Sequence, residues 1–116
     1  MTIKGTGGGT FQLEAGSCIG SKAPSGKLVL TAENTGTAKA GVIITFDGAG
    51  NVSALVTTGD ADTANAIVWS GTAPIGATAA RTKDAITLTD MPVNQLLGAK
   101  GTISATLKCE GTDGLL

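Results

Sequence analysis

The residues of this chain most able to do chemistry are its two cysteines, Cys18 near the start and Cys109 near the end, in a sequence with no histidine. A metal site built on thiolates needs further cysteine or histidine ligands, and none is present. Two readings remain for the pair. In the first it is a disulfide tying the first strand to the last, and closing a loop of this length contributes about 4 to 5 kcal/mol in the chain-entropy model. In the second it is two buried free thiols of a cytosolic or viral protein, since cysteine packs readily as a small hydrophobe. The disulfide is the more economical use of the two residues.

A serine nucleophile needs a base within hydrogen-bond reach, and without histidine that base would be a lysine or a carboxylate. Ser104 and Lys108 share the outer face of one strand but lie too far apart along it to touch. Paired acids for glycoside chemistry would come from Asp47, Asp60, Asp62, Asp84 or Asp90, yet each stands beside Gly, Thr or Ala where a turn favours Asp for backbone reasons. Asp60 and Asp62, with Asp47 or Asn65, offer oxygen ligands for calcium, but the loop lacks the spacing and the closing glutamate of a dedicated calcium site. Turn chemistry is the better reading, so no catalytic residue, metal or cofactor is assigned. The run Thr6-Gly7-Gly8-Gly9 fits neither phosphate-binding glycine pattern. Asn51-Val52-Ser53 matches the N-glycosylation acceptor, which matters only in a eukaryotic secretory host.

Composition limits what can position these residues. The chain has 116 residues, enough for one domain, with 15% charged residues and a net charge of -1. It carries no basic footprint for nucleic acid or an anionic membrane. No apolar run reaches the roughly 18 residues of a spanning helix. The start, Met1-Thr2-Ile3-Lys4-Gly5, lacks the features of a signal peptide. The chain is therefore either made and kept inside a cell or a mature, trimmed chain with a new initiator methionine, and the cysteines favour the second. With Phe11, Phe46 and Trp69 its only aromatics, the core must be built from Val, Ile, Leu and Ala.

Period-two alternation is the dominant pattern. Val42 to Phe46 and Val52 to Val56 flank Asp47-Gly48-Ala49-Gly50-Asn51, a hairpin signal, with Val42, Ile44 and Phe46 on one face and Val52, Ala54 and Val56 on the matching one. Ile43 and Leu55 on the opposite faces imply that the hairpin is central in its sheet and partly covered on both sides. Residues 1 to 9 have the composition of a flexible Gly-rich arm, and residues 10 to 116 form one domain. Phe11, Leu13 and Ala15 mark a half-buried strand, after which Gly16 marks a bulge or bend. Leu28 and Leu30 mark a second strand, and Ala66 to Trp69 another, with Trp69 as a core plug. Pro74 to Lys83 reads as an edge strand guarded by Arg81 and Lys83. Ala85 to Thr89 alternates again, and Asp90 to Gly98 is the one plausible helical turn. Thr102 to Cys109 closes the chain with Ile103, Ala105, Leu107 and Cys109 inward. About eight short strands separated by turns predict an all-β fold, a β-sandwich immunoglobulin-like in general build.

Several segments in order carry a family resemblance: Thr2-Ile3-Lys4-Gly5, Cys18, Ser25-Gly26-Lys27-Leu28, Thr35-Gly36-Thr37-Ala38, Ser70-Gly71-Thr72, Ala80-Arg81-Thr82-Lys83-Asp84, Ile86-Thr87-Leu88-Thr89 and the strand closing on Cys109. Their order resembles the mycobacterial lipoprotein antigen family of small surface lipoproteins. The resemblance implies a cell-envelope domain with one disulfide, no enzymatic activity, and an acylated cysteine upstream of the domain as its anchor. A lipid anchor would thus require a segment preceding Met1. In composition alone the chain is similar to pilin subunits and phage capsid decoration proteins.

These readings favour a non-catalytic, surface-exposed or cell-envelope domain, extracytoplasmic or on a virion, with a structural or adhesive role and a protein partner or self-association. A competing class is an assembly subunit of a pilus or virion in which Gly5, Thr6, Gly7, Gly8, Gly9 and Thr10 form an arm that orders on a neighbour. A third is a carrier for a small apolar ligand.

Overall fold

A computed structural model describes residues 1–14, 16–21, 25–34, 40–59, 66–82, 84–96 and 98–109. Its organising element is the hairpin of β5 (Ala40–Phe46) and β6 (Asn51–Thr58), paired from Ala40↔Thr58 to Phe46↔Val52. Val42, Ile44, Phe46, Val52, Ala54 and Val56 are all buried, as the alternation requires. Preceding it are β1 (Thr2–Gly5), β2 (Gly9–Thr10), β3 (Ser17–Gly20) and β4 (Leu28–Glu33). Following it are β7 (Ile67–Pro74), β8 (Ala79–Arg81), β9 (Ala85–Gln95) and β10 (Lys100–Lys108).

The fold is all-β, but the strands are hydrogen-bonded into one antiparallel sheet in the order β2-β1-β10-β9-β7-β6-β5-β4-β3, with β8 added beside β9. The sheet curls into a half-barrel. Its turning point is β9, which pairs with β8 at Ile86 to Leu88 and with β7 at Asn94 and Gln95. Pro92 stands between those two stretches, where β9 exchanges one partner for the other and a missing N–H costs least. One cluster fills the concave side, drawing Leu28, Ile44 and Val56 from one half and Ile86, Met91 and Ile103 from the other.

Trp69 joins those halves. It is fully buried, and its ring lies over the paired residues Gly5 and Gly101, where added Cβ atoms would stand 3.3 and 2.7 Å from the ring carbons. That contact explains a departure from the expected flexible arm. Residues 2 to 5 form β1 on β10, a turn through Thr6, Gly7 and Gly8 follows, and Gly9 and Thr10 return as β2. The N-terminal amine and carbonyl of Met1 bond to the carbonyl and N–H of Phe11 at 2.8 Å each. Glycines whose composition suggests a linker serve here as a shelf for a tryptophan.

Phe11 and Leu13 are half-buried against the core while Gln12 and Glu14 are exposed, so the expected alternation is present. The segment nevertheless forms no strand, and Ala15 lies outside the described residues. Gly16 makes a single parallel bridge to Cys109. The expected edge strand is present over Ala79–Arg81, since β8 pairs with β9 alone among the described strands, but Arg81 does more than stand at its edge. It leans over the Phe46 ring at 5.4 Å and donates 2.7 Å to the carbonyl of Ser21, so it ties β8 to the end of β3. Lys83, Asp60, Asp62 and Asn65 lie outside the described residues.

The expected helical turn from Asp90 to Gly98 is strand as far as Gln95. Register runs from Ala105↔Leu88 to Ile103↔Met91, so Thr89 and Asp90 together oppose Ser104 in a β-bulge. Asp90 takes φ 47°, and among the described residues it alone does so without being glycine. We expect Asp90→Ala to destabilise by about 1 to 2 kcal/mol, since it keeps a side chain in the left-handed region and loses local hydrogen bonds. Asp90→Gly, free of that strain, should fall within about 0.5 kcal/mol of the native chain in urea unfolding.

Candidate functional site

The two cysteines close the seam of the curled sheet. Cys18 on β3 is bonded to Cys109 just beyond β10, with Cα atoms 5.5 Å apart. The Gly16 N–H donates to the Lys108 carbonyl at 2.9 Å beside it, and the Cys109 N–H to the Asp84 carbonyl at 2.8 Å. Cys109 is buried and in phase with Leu107 and Ile103, which is how the alternation of β10 places it.

The described carboxylates flagged as candidate acids are each engaged locally. Asp47 closes the β5–β6 turn, its Oδ1 accepting the N–H of Ala49 at 2.7 Å and of Asn51 at 3.0 Å. These bonds favour the charged form, that from Asn51 most and that from Ala49 next, and they hold the Asp47 carboxyl below its ordinary value of 3.8. A depressed folded pKa contributes stability that is complete above the unfolded value and lost as pH falls through the folded one. We therefore expect Asp47→Ala to be destabilised by a constant amount from pH 5 to 7, with the difference shrinking below about pH 4. Urea titrations of both proteins across that range read it directly.

Asp84 pairs with Lys108 at 3.8 Å. Asp90 accepts from Ser104 Oγ at 3.3 Å and faces Lys4 Nζ at 3.6 Å, while its own N–H donates to Ser104 Oγ at 2.9 Å. Ser104 and Lys108, on one strand, thus engage different acids. Among the described residues no three His, Cys, Asp or Glu side chains gather as a metal site, and no helix is long and apolar enough to cross a membrane.

A recess lies on the convex side, where Ile43 and Leu55 were expected to be partly covered. They are 42% and 45% exposed and face each other across β5 and β6. Ladder register continues this row through Ser70 on β7 to Asn94 on β9. A second row, Thr45–Ser53–Thr72, runs beside it, and Ser53 and Thr72 share a hydrogen bond of 3.1 Å. The two rows line a recess of about 540 Å³ with no ionisable side chain among its lining residues. Its curvature follows from the close approach of β7 to β9, where a Cβ on Gly71 would stand 2.3 Å from the Pro92 carbonyl oxygen. Sequence reasoning missed this site, since its rows exist only once four strands are in register. The one available signal was the pair of outward apolar residues on a hairpin whose other face was already filled.

No protein-family model matches the chain, and neither a curated protein nor a solved structure matches it.

Proposed function

We propose that this chain is a non-catalytic β module of an extracytoplasmic, cell-surface or virion setting, whose work is structural or adhesive. In this reading the two halves of the curled sheet face each other in the manner of a β-sandwich, and the convex surface meets the partner. The Cys18–Cys109 bond carries the reading. Disulfides that staple a small domain persist where the surroundings are oxidising, outside the cytosol. The engagement of Asp47, Asp84 and Asp90 with turns and neighbouring lysines agrees with a scaffold role for these acids.

Trapping thiols with an alkylating reagent in intact cells of the native host, followed by intact-mass measurement, tests the reading. It predicts an unalkylated, oxidised chain in the envelope or particle fraction, and a doubly alkylated chain in the cytosol would refute it. A second reading, a self-assembling subunit of a pilus or virion, is favoured by the uncharged recess of the convex face with Ile43 and Leu55 exposed. Light scattering across a concentration series separates the two, since the subunit reading requires growth in mass and the adhesive one a monomer.

A further inference from the structure

We infer that the convex recess of β5, β6, β7 and β9 is a binding site for a neutral oligosaccharide, a reading that rests on the adhesive role and gives it a ligand class. The recess volume of about 540 Å³ lies in the range of small-ligand sites rather than of protein interfaces. Its floor is a grid. Along one row Ile43 and Leu55 form an apolar platform continued by the Ser70 hydroxyl and the Asn94 amide, a span of about 14 Å over three strand spacings. Along the other, Thr45, Ser53 and Thr72 present hydroxyls, two of them already oriented by their mutual hydrogen bond.

This chemistry discriminates among occupants. The cores of protein interfaces are enriched in aromatic residues, Met and Arg and depleted in Ser, whereas this recess holds two exposed aliphatic side chains amid hydroxyls. An anionic or cationic ligand would find no counter-charge on the lining. A pyranose chain has an apolar C–H face to lay on Ile43 and Leu55. At its edges it has hydroxyls that donate to and accept from Ser, Thr and Asn side chains. Burial of those hydroxyls is then matched by partners on the protein, as a polar ligand requires.

Amide nitrogen–proton correlation spectra of the oxidised chain, titrated with cellotetraose and separately with maltotetraose to about 10 mM, test the inference in the weak-binding range. The expected result is saturable shifts at Ile43, Leu55, Ser70 and Asn94 for at least one sugar. Leu55→Arg should weaken binding by about tenfold or more. Asn94→Ala, at an exposed position, gives an independent loss if the arginine variant misfolds. Thr106→Ala, on the opposite half of the sheet, should leave binding unchanged. The absence of shifts with both sugars, or shifts centred elsewhere, overturns the site. Concentration-dependent shifts of the same residues without sugar overturn it in favour of self-association. Any of these failures leaves the oxidised, extracytoplasmic reading to stand or fall on the thiol-trapping result.

Discussion

Replacing both Cys18 and Cys109 with alanine is expected to lower unfolding stability by about 4 to 5 kcal/mol. The crosslink spans a sequence separation of 91 and so removes much of the conformational freedom of the unfolded chain. The folded state loses packing as well, because Cys109 is buried at 6% exposure in the core cluster and alanine removes its sulfur. A single domain of this size commonly holds about 5 to 15 kcal/mol, so the variant would keep only a fraction of its margin. Urea unfolding of the oxidised protein against the double variant measures the effect, and a difference below about 1 kcal/mol would mean that the crosslink does not constrain the unfolded chain.

The change should also be local before it is global. The backbone bond from the Gly16 N–H to the Lys108 carbonyl accompanies the sulfur link between the end of β10 and the approach to β3. Amide exchange should therefore accelerate first in Ser17–Gly20 and in the last residues of β10, while Ala40–Phe46 and Asn51–Thr58 remain protected.

Those protected strands are also the part of the fold most legible in the sequence. The β5–β6 hairpin is written in period two around an Asp/Gly turn, and its partners on both sides need only continue the ladder. The crosslink was legible from two cysteines with no histidine or further cysteine beside them, and from Cys109 standing in phase with the inward residues of its strand. What was not legible depends on contacts between distant residues. A glycine at position 5 reads as flexibility until Trp69 rests on it. The stretch from Leu88 to Val93 places apolar residues three apart, at 88 and 91, which resembles helical spacing. A bulge at Asp90 resets a two-residue period to the same effect, so Leu88, Met91 and Val93 all point inward. The recess was hidden for a related reason: Ile43 and Leu55 stand outward and half exposed on the convex side, and the rows that join them to Ser70 and Asn94 exist only once four strands are in register.

Trp69→Ala should be the most damaging single core truncation, at about 3 to 5 kcal/mol. The ring has no exposed surface, and it supplies the contact by which β7 holds β1 and β10 through Gly5 and Gly101. Neither glycine has a side chain that could relax into the space left behind, so the cavity should persist and carry its full cost. Trp69→Phe is predicted to cost clearly less, for a reason beyond volume. The indole Nε1 is buried without a hydrogen-bond partner among the described residues. An unsatisfied buried donor carries a desolvation penalty of about 1 to 3 kcal/mol, and phenylalanine removes it along with part of the ring. The two variants thus separate the packing of the ring from the burden of its polar atom. Amide exchange adds the spatial test, since loss of the ring should deprotect Thr2–Gly5 and its β10 partners before the β5–β6 hairpin. Equal destabilisation by alanine and phenylalanine would show that the unpaired Nε1 carries no penalty that phenylalanine relieves.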